Sequence, residues 1–551
     1  MTTFPVRGVG RSGVIPDQSP YDLPLDAWTE ARNIRFAGRT ASRYSIFRDQ
    51  YPHASFGPTE ADRPVGVARY QEANSDPTLL VVSRDYRITE VTPTSTQDVT
   101  PVSGTWTQND SRITYATLAG CAFINRSSDV PLSRIPTATK FTALPYWPVN
   151  DRCKSLRSYK DFLIALNVTK GAVAYPTMIK WSNATQYGSV PPDWDTANPA
   201  SLSGEDIVND IQSPLLDGLG LGDSFIIYST NEVLVQEFIG APLVFRRTKL
   251  FSDDGMIAAN CVVDVNNRHY VFGIKDIYVH DGISKESLTQ DILNNETATT
   301  VKDYIYSTIN YEYADRSFVV HNAANSEIMF CYVSLLDETP WNGMTNPNMA
   351  AVYNYSSRTW TFVDLPACVG GAEMPADSAQ TWEDLPSWPE IDSSWASLGS
   401  KGTRLLCLLS SGNQTLLNPV NPKIYSLDDL KAPRSNRPIA TDVSWTAYIR
   451  REGIDLDEIG AEISGRKMLS TIYPQVAVIG DDDEFLIRLG RSIYSGSTVE
   501  WEAPVRFRPS TQYKVDTRNT GRYLAMEFII PPGSYAELSG YDLDIKKLFG
   551  R

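Results

Sequence analysis

The stretch Arg268-His-Tyr-Val-Phe-Gly273, followed after two residues by Asp276-Ile-Tyr-Val-His-Asp-Gly282, contains two short apolar runs bounded by glycine and aspartate. Valine, isoleucine, tyrosine and phenylalanine favour β-strands. Glycine and aspartate favour the turns that end strands. This stretch therefore predicts a pair of antiparallel strands joined by a tight turn.

The same pattern of paired apolar runs returns between residues 152 and 430. The other pairs are 161–167 with 178–182, 223–229 with 232–238, 316–321 with 327–332, 350–355 with 358–362, and 404–409 with 423–427. Two-strand units that recur at roughly 40–60 residues are typical of β-propellers. We therefore predict an all-β fold whose main part is a β-propeller of about six to eight blades.

The prolines and glycines of residues 1–62 predict an irregular N-terminal arm with one strand at Asn33–Phe36. Residues 63–432 form the predicted propeller, and strand runs at 65–70, 78–82, 86–91, 112–116 and 121–125 predict its first two blades. Insertions are expected at 190–213 and at 371–402. The second insertion is acidic and contains Trp382, Trp388 and Trp395. One short helix is predicted around 295–306.

The sequence changes character after a predicted linker at 433–438. Six strand runs follow at fairly even spacing, at 445–449, 475–479, 484–489, 505–507, 523–528 and 540–545. A hairpin turn is predicted at 480–483. This spacing predicts a C-terminal β-sandwich-like domain over residues 439–551.

The net charge is −15, from 50 basic and 65 acidic residues. This balance argues against a broad basic surface that grips nucleic acid. It is compatible with a channel along which DNA slides, because an acidic wall repels phosphate. The chain has no apolar run of about 18 residues and no apolar segment near its first residue, so we expect no membrane span and no signal peptide.

The cysteines and histidines do not form a recognisable metal or disulfide pattern. The six cysteines have no CxxC spacing, and Cys261, Cys331 and Cys407 lie inside apolar runs. We expect them to be small buried apolar residues of a reducing compartment. The four histidines are too dispersed for a zinc site, and core or turn roles are expected for His269 and His280.

Several short motifs resemble chemical sites, but each has a simpler structural interpretation. The GxGxxG match at Gly8–Gly13 has no preceding strand, so we interpret it as a flexible arm. Asp253–Gly255 and Asp481–Glu484 are interpreted as turns, because calcium-loop spacing is absent. Ser356–Trp360 lacks the aspartate and glycine of the sialidase repeat. No GxSxG, HExxH or P-loop pattern occurs.

One basic segment is a candidate contact surface. Arg152, Lys154, Arg157 and Lys160 lie within nine residues of one another. They could contact DNA or a neighbouring subunit. The alternative, which we favour, is a solvated blade edge.

Several stretches of the chain together form a recognisable set. At the N-terminus they are Gly13-Val-Ile-Pro-Asp17, Leu23–Trp28 and Ala31-Arg-Asn-Ile-Arg-Phe36. In the centre they are 155–167, 179–182, 191–195, 222–228 and 276–282, together with the tryptophan insertion. This set resembles the tail nozzle (tail tubular protein B-like) family of short-tailed bacteriophages. The likeness covers most of the chain and is weakest in 436–551.

The resemblance implies a virion structural protein with no catalytic, cofactor-binding or metal-binding residues. The expected assembly is a homohexameric ring that forms the distal tail tube, through which phage DNA is retained and then ejected. Its expected partners are the portal–adaptor ring above, tail fibres or tail-tip proteins, and phage DNA in transient, non-specific contact. The expected location is the tail of the virion, after assembly in the host cytoplasm.

Two other functions remain open at this stage. The first is a virion-associated or secreted propeller hydrolase of glycans, which requires a pair of facing carboxylates. The second is a host propeller scaffold for protein partners. A hydrolase would be active as a monomer, whereas a host scaffold would have no affinity for a portal–adaptor ring.

Overall fold

The computed structural model describes residues 2–44, 47–57, 59, 62–72, 75–102, 106–293, 297–336, 345–375, 404–412, 421–427, 445–456, 465–478 and 483–548. Nearly all regular structure within these ranges is β-strand, which confirms the predicted all-β class. Residues 480–482 of the predicted turn, the linker at 433–438 and most of the 371–402 insertion lie outside the described residues.

Seven antiparallel sheets, numbered sheet 1 to sheet 7, each contain four strands in consecutive spatial order. Sheet 1 contains Pro64–Tyr70, Thr78–Ser83, Ile88–Val91 and Thr96–Asp98; sheet 2 contains Ile113–Leu118, Cys121–Arg126, Leu132–Arg134 and Thr142–Ala143; sheet 3 contains Asp151–Tyr159, Phe162–Lys170, Val173–Trp181 and Gly204–Ile207; sheet 4 contains Leu215–Leu221, Ser224–Ser229, Val233–Gly240 and Val244–Phe251. Sheet 5 contains Val262–Asp264, His269–Phe272, Ile277–His280 and Lys285–Ser287; sheet 6 contains Phe318–Asn322, Glu327–Tyr332, Met349–Asn354 and Thr359–Asp364; sheet 7 contains Cys368–Pro375, Arg404–Ser410, Ile424–Leu427 and the N-terminal strand Arg48–Asp49.

The first strands of these sheets contact one another in a closed cycle. Each contacts the first strand of the next sheet, and the first strand of sheet 7 contacts that of sheet 1. The sheets pack through apolar clusters that join neighbours, such as the cluster of Leu80 with Ile124 between sheets 1 and 2. The strand Arg48–Asp49 completes sheet 7 by pairing with Tyr425 and Ser426, so a segment that precedes sheet 1 closes the last sheet.

The predicted strand pairs all fall in these sheets, with one difference in how they group. The runs 316–321 with 327–332 and 350–355 with 358–362, which we expected to be separate units, are the four strands of sheet 6. The predicted loop at 190–213 also contains a strand, Gly204–Ile207, which pairs with Met178–Trp181. The predicted insertion begins later than expected, because residues 371–375 belong to the strand Cys368–Pro375.

The predicted helix at 295–306 is displaced toward the C-terminus. The described α-helix is Lys302–Thr308, with 3₁₀ turns at Tyr311–Arg316 and Ala323–Asn325. The threonine-rich strand Thr297–Thr300 pairs instead with Gln290–Leu293. Threonine is β-branched and loses side-chain freedom in a helix, which explains why the first part of the predicted helix, around 297–300, is a strand instead.

The C-terminal strands form two further sheets together with N-terminal strands. Sheet 8 contains Thr2–Arg7, Ile34–Ala37, Thr40–Arg43, Ala536–Leu548, Arg466–Val478 and Val515–Gly521. Sheet 9 extends sheet 6 through Glu30–Arg32, Ala447–Ile454, Tyr523–Ile530, Phe485–Ser492, Glu500–Trp501 and Val505–Phe507. All six predicted C-terminal runs overlap these strands.

Aromatic rings fill the space between sheets 8 and 9. Phe528 of sheet 9 lies 5.3 Å from Tyr541 of sheet 8, measured between ring centroids, and Trp28 lies 6.0 Å from Phe528. The Trp28 indole N–H donates to the carbonyl of Val9, which is fully buried. The interpretation of Gly8–Gly13 as a flexible arm is therefore wrong, since this segment packs in the core of the C-terminal sheets. The expectation that no strand precedes it is wrong as well, because the strand Thr2–Arg7 ends at the residue before Gly8.

The N-terminal segment also joins these sheets to sheet 6 by buried charges. Arg32 pairs with Asp364 at 2.8 Å, and both side chains are almost fully buried. Asn33 donates to the second oxygen of the Asp364 carboxylate at 2.7 Å. Arg35 makes two hydrogen bonds to Glu327, which also accepts one from the Tyr44 hydroxyl. These contacts fix residues 32–44 between sheet 6 and the C-terminal sheets.

Candidate functional site at the sheet axis

A small cavity lies where the first strands of the seven sheets converge. Its volume is about 180 Å³, and its lining includes residues from the first strands of all seven sheets. The polar side chains among these residues are Arg112, Tyr115, Arg157 and Asn260. None of the lining residues is aspartate or glutamate. Two buried arginines therefore dominate the chemistry of this axis.

The Arg112 guanidinium joins the first and last sheets of the cycle. It donates to the carbonyl of Val65 at 3.2 Å in sheet 1 and to that of Val369 at 3.0 Å in sheet 7. It also donates to the carbonyl of Arg316 and the side-chain oxygen of Asn346. Burial and the nearby Arg316 charge lower the pKa of Arg112 to about 9, so the side chain stays protonated at neutral pH.

The Arg157 guanidinium joins the middle sheets. It forms a bidentate pair with Asp217 of sheet 4, at 2.7 and 2.5 Å, and donates to the carbonyl of Tyr115 in sheet 2. It also donates to the side-chain oxygen of Asn260, whose backbone carbonyl accepts the Val319 N–H of sheet 6. One connected network thus reaches sheets 2, 3, 4 and 6 through Arg157.

The Asp217 carboxylate is fully buried and strongly solvated by the protein. It accepts the Ser155 hydroxyl at 2.5 Å and the backbone N–H groups of Gly218 and Asn260 at 2.9 Å each. Burial alone would raise the pKa of Asp217, but the Arg157 charge and these hydrogen bonds outweigh it and hold that pKa below its usual value. The carboxylate remains ionised at neutral pH, and donors from sheets 3 and 4 and from Asn260 occupy its oxygens, so Asp217 holds these strands together.

The four basic residues of the predicted contact segment are separated by the strand that contains them. Arg157 points to the axis. Arg152 donates only to backbone carbonyls, those of Ser128, Val149 and Asp151. Lys154 is exposed, and Lys160 lies in a turn with its ammonium 5.7 Å from the Phe238 ring centroid. The structure therefore does not bring the four together as one surface.

Period-two alternation was the sequence signal that could have identified Arg157. Cys153 and Ser155 are buried and share its face of the strand, whereas Arg152 and Lys154 lie on the other face. An arginine on the face of a buried cysteine and serine is expected to need a buried partner. The partner, Asp217, lies 60 residues away in sequence and carries no local signal.

His269 and His280 form a second buried polar cluster, between sheets 4 and 5. They are opposite each other on neighbouring strands, and the Tyr228 hydroxyl contacts both rings, at 2.8 Å from His269 Nδ1 and 2.6 Å from His280 Nε2. The Gly282 N–H donates to His280 Nδ1, and His269 Nε2 contacts the Gly220 carbonyl. Because the Gly282 N–H can only donate and the Gly220 carbonyl can only accept, each hydrogen bond in the chain has one possible direction. Gly282 donates to His280, His280 donates to the Tyr228 hydroxyl oxygen, Tyr228 donates to His269, and His269 donates to the Gly220 carbonyl.

This order of donors requires both rings to be neutral. Burial lowers the pKa of His269 to about 4. Burial and the neighbouring His269 lower the pKa of His280 to about 3. The predicted core role of the two histidines is confirmed, since both are buried among aromatic side chains.

We expect acidification to destabilise the protein through these histidines. Because their pKa values are lower in the folded than in the unfolded chain, the stabilisation is complete above about pH 6.5 and is lost as the pH falls toward 4 and 3. Lowering the pH from 7 to 5 should therefore decrease the free energy of unfolding by roughly 2–4 kcal/mol through the protonation of these two histidines in the unfolded chain. Urea denaturation at both pH values measures this loss.

Two variants separate this effect from the general acid response. His269→Gln should lose less stability over the same pH interval than the parent protein. His53→Gln should behave like the parent, because His53 is exposed. Equal pH dependence in the parent and in His269→Gln would contradict the assignment.

The remaining sequence candidates have structural roles. The Trp360 indole donates to the carbonyl of Leu288 and lies in the core. Glu484 pairs with Arg506 at 2.6 Å, while 481–482 lie outside the described residues. Burial raises the pKa of Asp254 to about 6, but its carboxyl is only 2% exposed and lies 3.8 Å from the Lys285 ammonium.

The six cysteines are free thiols, and each is buried, as predicted. Within the described ranges, no three histidine, cysteine, aspartate or glutamate side chains are grouped so that they could hold a metal ion. The same ranges contain no helix with the length and apolar character needed to cross a membrane.

The chain matches no protein-family model, and none of the curated proteins matches it.

Proposed function

We propose that this chain is the structural protomer of a tail nozzle of the kind found in short-tailed bacteriophages. In this proposal sheets 1–7 are the blades of a seven-bladed β-propeller, and sheets 8 and 9 form a C-terminal β-sandwich. The closed cycle of contacts between first strands supports the propeller, and the strand Arg48–Asp49 supports it further by closing sheet 7. The paired N-terminal strands support a rigid connection between the two parts.

The observation that carries the proposal is the set of polar groups along the axis where the first strands converge. Arg112 and Arg157 hydrogen-bond across the cycle, and the cavity between the first strands has no carboxylate in its lining. Such an axis suits a rigid building block. The alternative, a virion-associated or secreted glycan hydrolase, requires two facing carboxylates. The axial cavity offers none, so we place the structural function first.

The size of the cavity determines where DNA would pass. A space of about 180 Å³ is far too small for duplex DNA, whose major groove alone is about 12 Å wide. The DNA path of the proposed nozzle therefore runs through the lumen between protomers and does not follow the axis of one protomer. Heterologous contacts between identical protomers close such a ring, for which the resemblance implies six copies.

Charge supports a conduit in which DNA moves freely. The net charge of −15 disfavours tight binding to phosphate and favours transient, non-specific contact. The other proposed partners are the portal–adaptor ring above the nozzle and tail fibres or tail-tip proteins beside it. The proposed location is the virion tail, with assembly in the host cytoplasm.

Immunogold labelling of virions, combined with native mass spectrometry of isolated tails, tests this function. We expect label at the tail tip and six copies of the 61.3 kDa chain in the tail complex. A chain that is absent from particles and monomeric in solution would contradict the proposal. Screening of glycan substrates would then be the appropriate next experiment.

A further inference from the structure

A pair of tyrosines, one exposed and one half-buried, lies on sheet 8. Tyr473 belongs to the strand Arg466–Val478, and Tyr513 precedes the neighbouring strand Val515–Gly521. Their ring centroids are 6.5 Å apart and their planes differ by 30°. Tyr513 is 73% exposed. At this separation neither ring covers the other, so the pair presents aromatic surface to solvent.

Hydrogen-bonding groups surround the two rings. Lys514 pairs with Asp516 at 3.0 Å, and Asp516 also accepts the Thr471 hydroxyl. On the other side the Tyr473 hydroxyl donates to Asp544 at 3.4 Å, and Asp544 accepts the Thr3 hydroxyl at 2.5 Å. The Lys514 ammonium and the exposed Asp516 carboxylate thus lie beside the rings, while the buried Asp544 carboxylate holds the Tyr473 hydroxyl in place. The name tyrosine platform is used below for Tyr473, Tyr513, Lys514, Asp516 and Asp544.

We propose that the tyrosine platform binds a neutral saccharide chain. The C–H faces of a sugar ring are weakly apolar and pack against aromatic rings, while its hydroxyls both donate and accept hydrogen bonds. The exposed Asp516 carboxylate can accept from such hydroxyls, and Lys514 can donate to them. The platform therefore offers the two kinds of contact that a sugar needs, in one place and accessible from solvent.

The charges of the platform distinguish a saccharide from nucleic acid, whose bases also stack on tyrosine. A single-stranded binding site combines aromatic rings with a positively charged groove along the phosphates. Here one lysine faces two carboxylates, and that lysine is already paired with Asp516. Such a surface repels phosphate but does not repel a neutral chain. Saccharide binding by sheet 8 goes beyond the nozzle function and does not depend on ring assembly.

Saturation-transfer NMR on the full-length protein tests the proposal, with maltohexaose, cellohexaose and hexa-N-acetylchitohexaose as probes and the oligonucleotide (dT)12 as the competing ligand. We expect transfer from the protein to at least one hexasaccharide and none to (dT)12. Titration with the responding sugar gives the dissociation constant. In Tyr513→Ala this constant should rise by roughly fivefold or more, as expected for the loss of one aromatic contact.

The matched control is Tyr494→Ala, which removes another exposed tyrosine, 62% exposed, from the C-terminal region. It should leave the dissociation constant unchanged. Thermal unfolding of both variants should match the parent, because exposed side chains contribute little to stability. The proposal is overturned if no hexasaccharide responds, if Tyr513→Ala binds as well as the parent, or if (dT)12 binds the platform instead.

Discussion

Arg157→Met is expected to lower the free energy of unfolding by about 3–5 kcal/mol. The substitution keeps most of the apolar volume and removes the guanidinium that neutralises Asp217. The Asp217 carboxylate is 0% exposed, so the variant would leave a charge without its counter-charge in a buried position. The carbonyl of Tyr115 and the side-chain oxygen of Asn260 also lose a donor. A buried charge without its partner is among the most destabilising single changes in a protein.

Urea denaturation of the parent and the variant at pH 7 measures this effect, and Arg152→Met is the matched control. Arg152 lies on the same strand, but its guanidinium is partly exposed and bonds only to backbone carbonyls. The control should lose no more than about 1 kcal/mol. Similar losses in both variants would mean that the axial network is not what distinguishes Arg157. The basic segment would then have to be considered as one surface.

The contrast between these two arginines shows which parts of the fold the sequence could predict. Short apolar runs bounded by turn residues located many of the buried strands, because a buried strand needs apolar side chains along its own sequence. Strands of exposed or mixed sequence, such as Thr96–Asp98, Thr142–Ala143 and Lys285–Ser287, were not predicted. Pairing between adjacent strands followed from short turns. The grouping of strands into sheets did not follow, and two pairs assigned to separate units proved to be the four strands of sheet 6.

Long-range pairing was the part that the sequence could not predict. Thr2–Arg7 pairs with residues 540–545, and Glu30–Arg32 pairs with 448–450. Nothing in a three-residue strand such as Glu30–Arg32 indicates a partner more than 400 residues away. Short strands and many prolines made residues 1–62 appear irregular, although Val9 and Trp28 lie in the core of sheets 8 and 9 and Arg48–Asp49 completes sheet 7.

The candidate sites show the same limit. Each polar network joins residues that are far apart: Arg157 with Asp217, Arg112 with Val369, and Tyr228 with the two histidines. The sequence could indicate that a charge on an apolar face needs a partner, but it could not identify that partner. The stretch Ala31-Arg-Asn-Ile-Arg-Phe36 is part of the resemblance to nozzle proteins. Its polar side chains Arg32, Asn33 and Arg35 all have partners that lie far away in the sequence.

Arg32 and Asn33 lead to the second prediction of a large effect on stability. Asp364→Ala is expected to destabilise the protein by about 3–5 kcal/mol, because the Arg32 guanidinium would remain buried without a counter-charge. Asn33 would also lose the acceptor of its amide at 2.7 Å. Burial tends to lower the pKa of Arg32, and the Asp364 charge outweighs this and raises it, so the guanidinium stays charged in the parent.

Two comparisons decide whether the buried pair causes the loss. Glu500→Ala breaks the exposed pair between Arg491 and Glu500 and should change stability by less than about 1 kcal/mol. The double variant Arg32→Met with Asp364→Leu removes both charges and should recover most of the stability lost in Asp364→Ala, because apolar side chains of similar size can replace a buried ion pair. If the double variant is as unstable as Asp364→Ala, the hydrogen bonds of Asn33 and the shape of the site hold the N-terminal segment against sheet 6, and the charge pair contributes little.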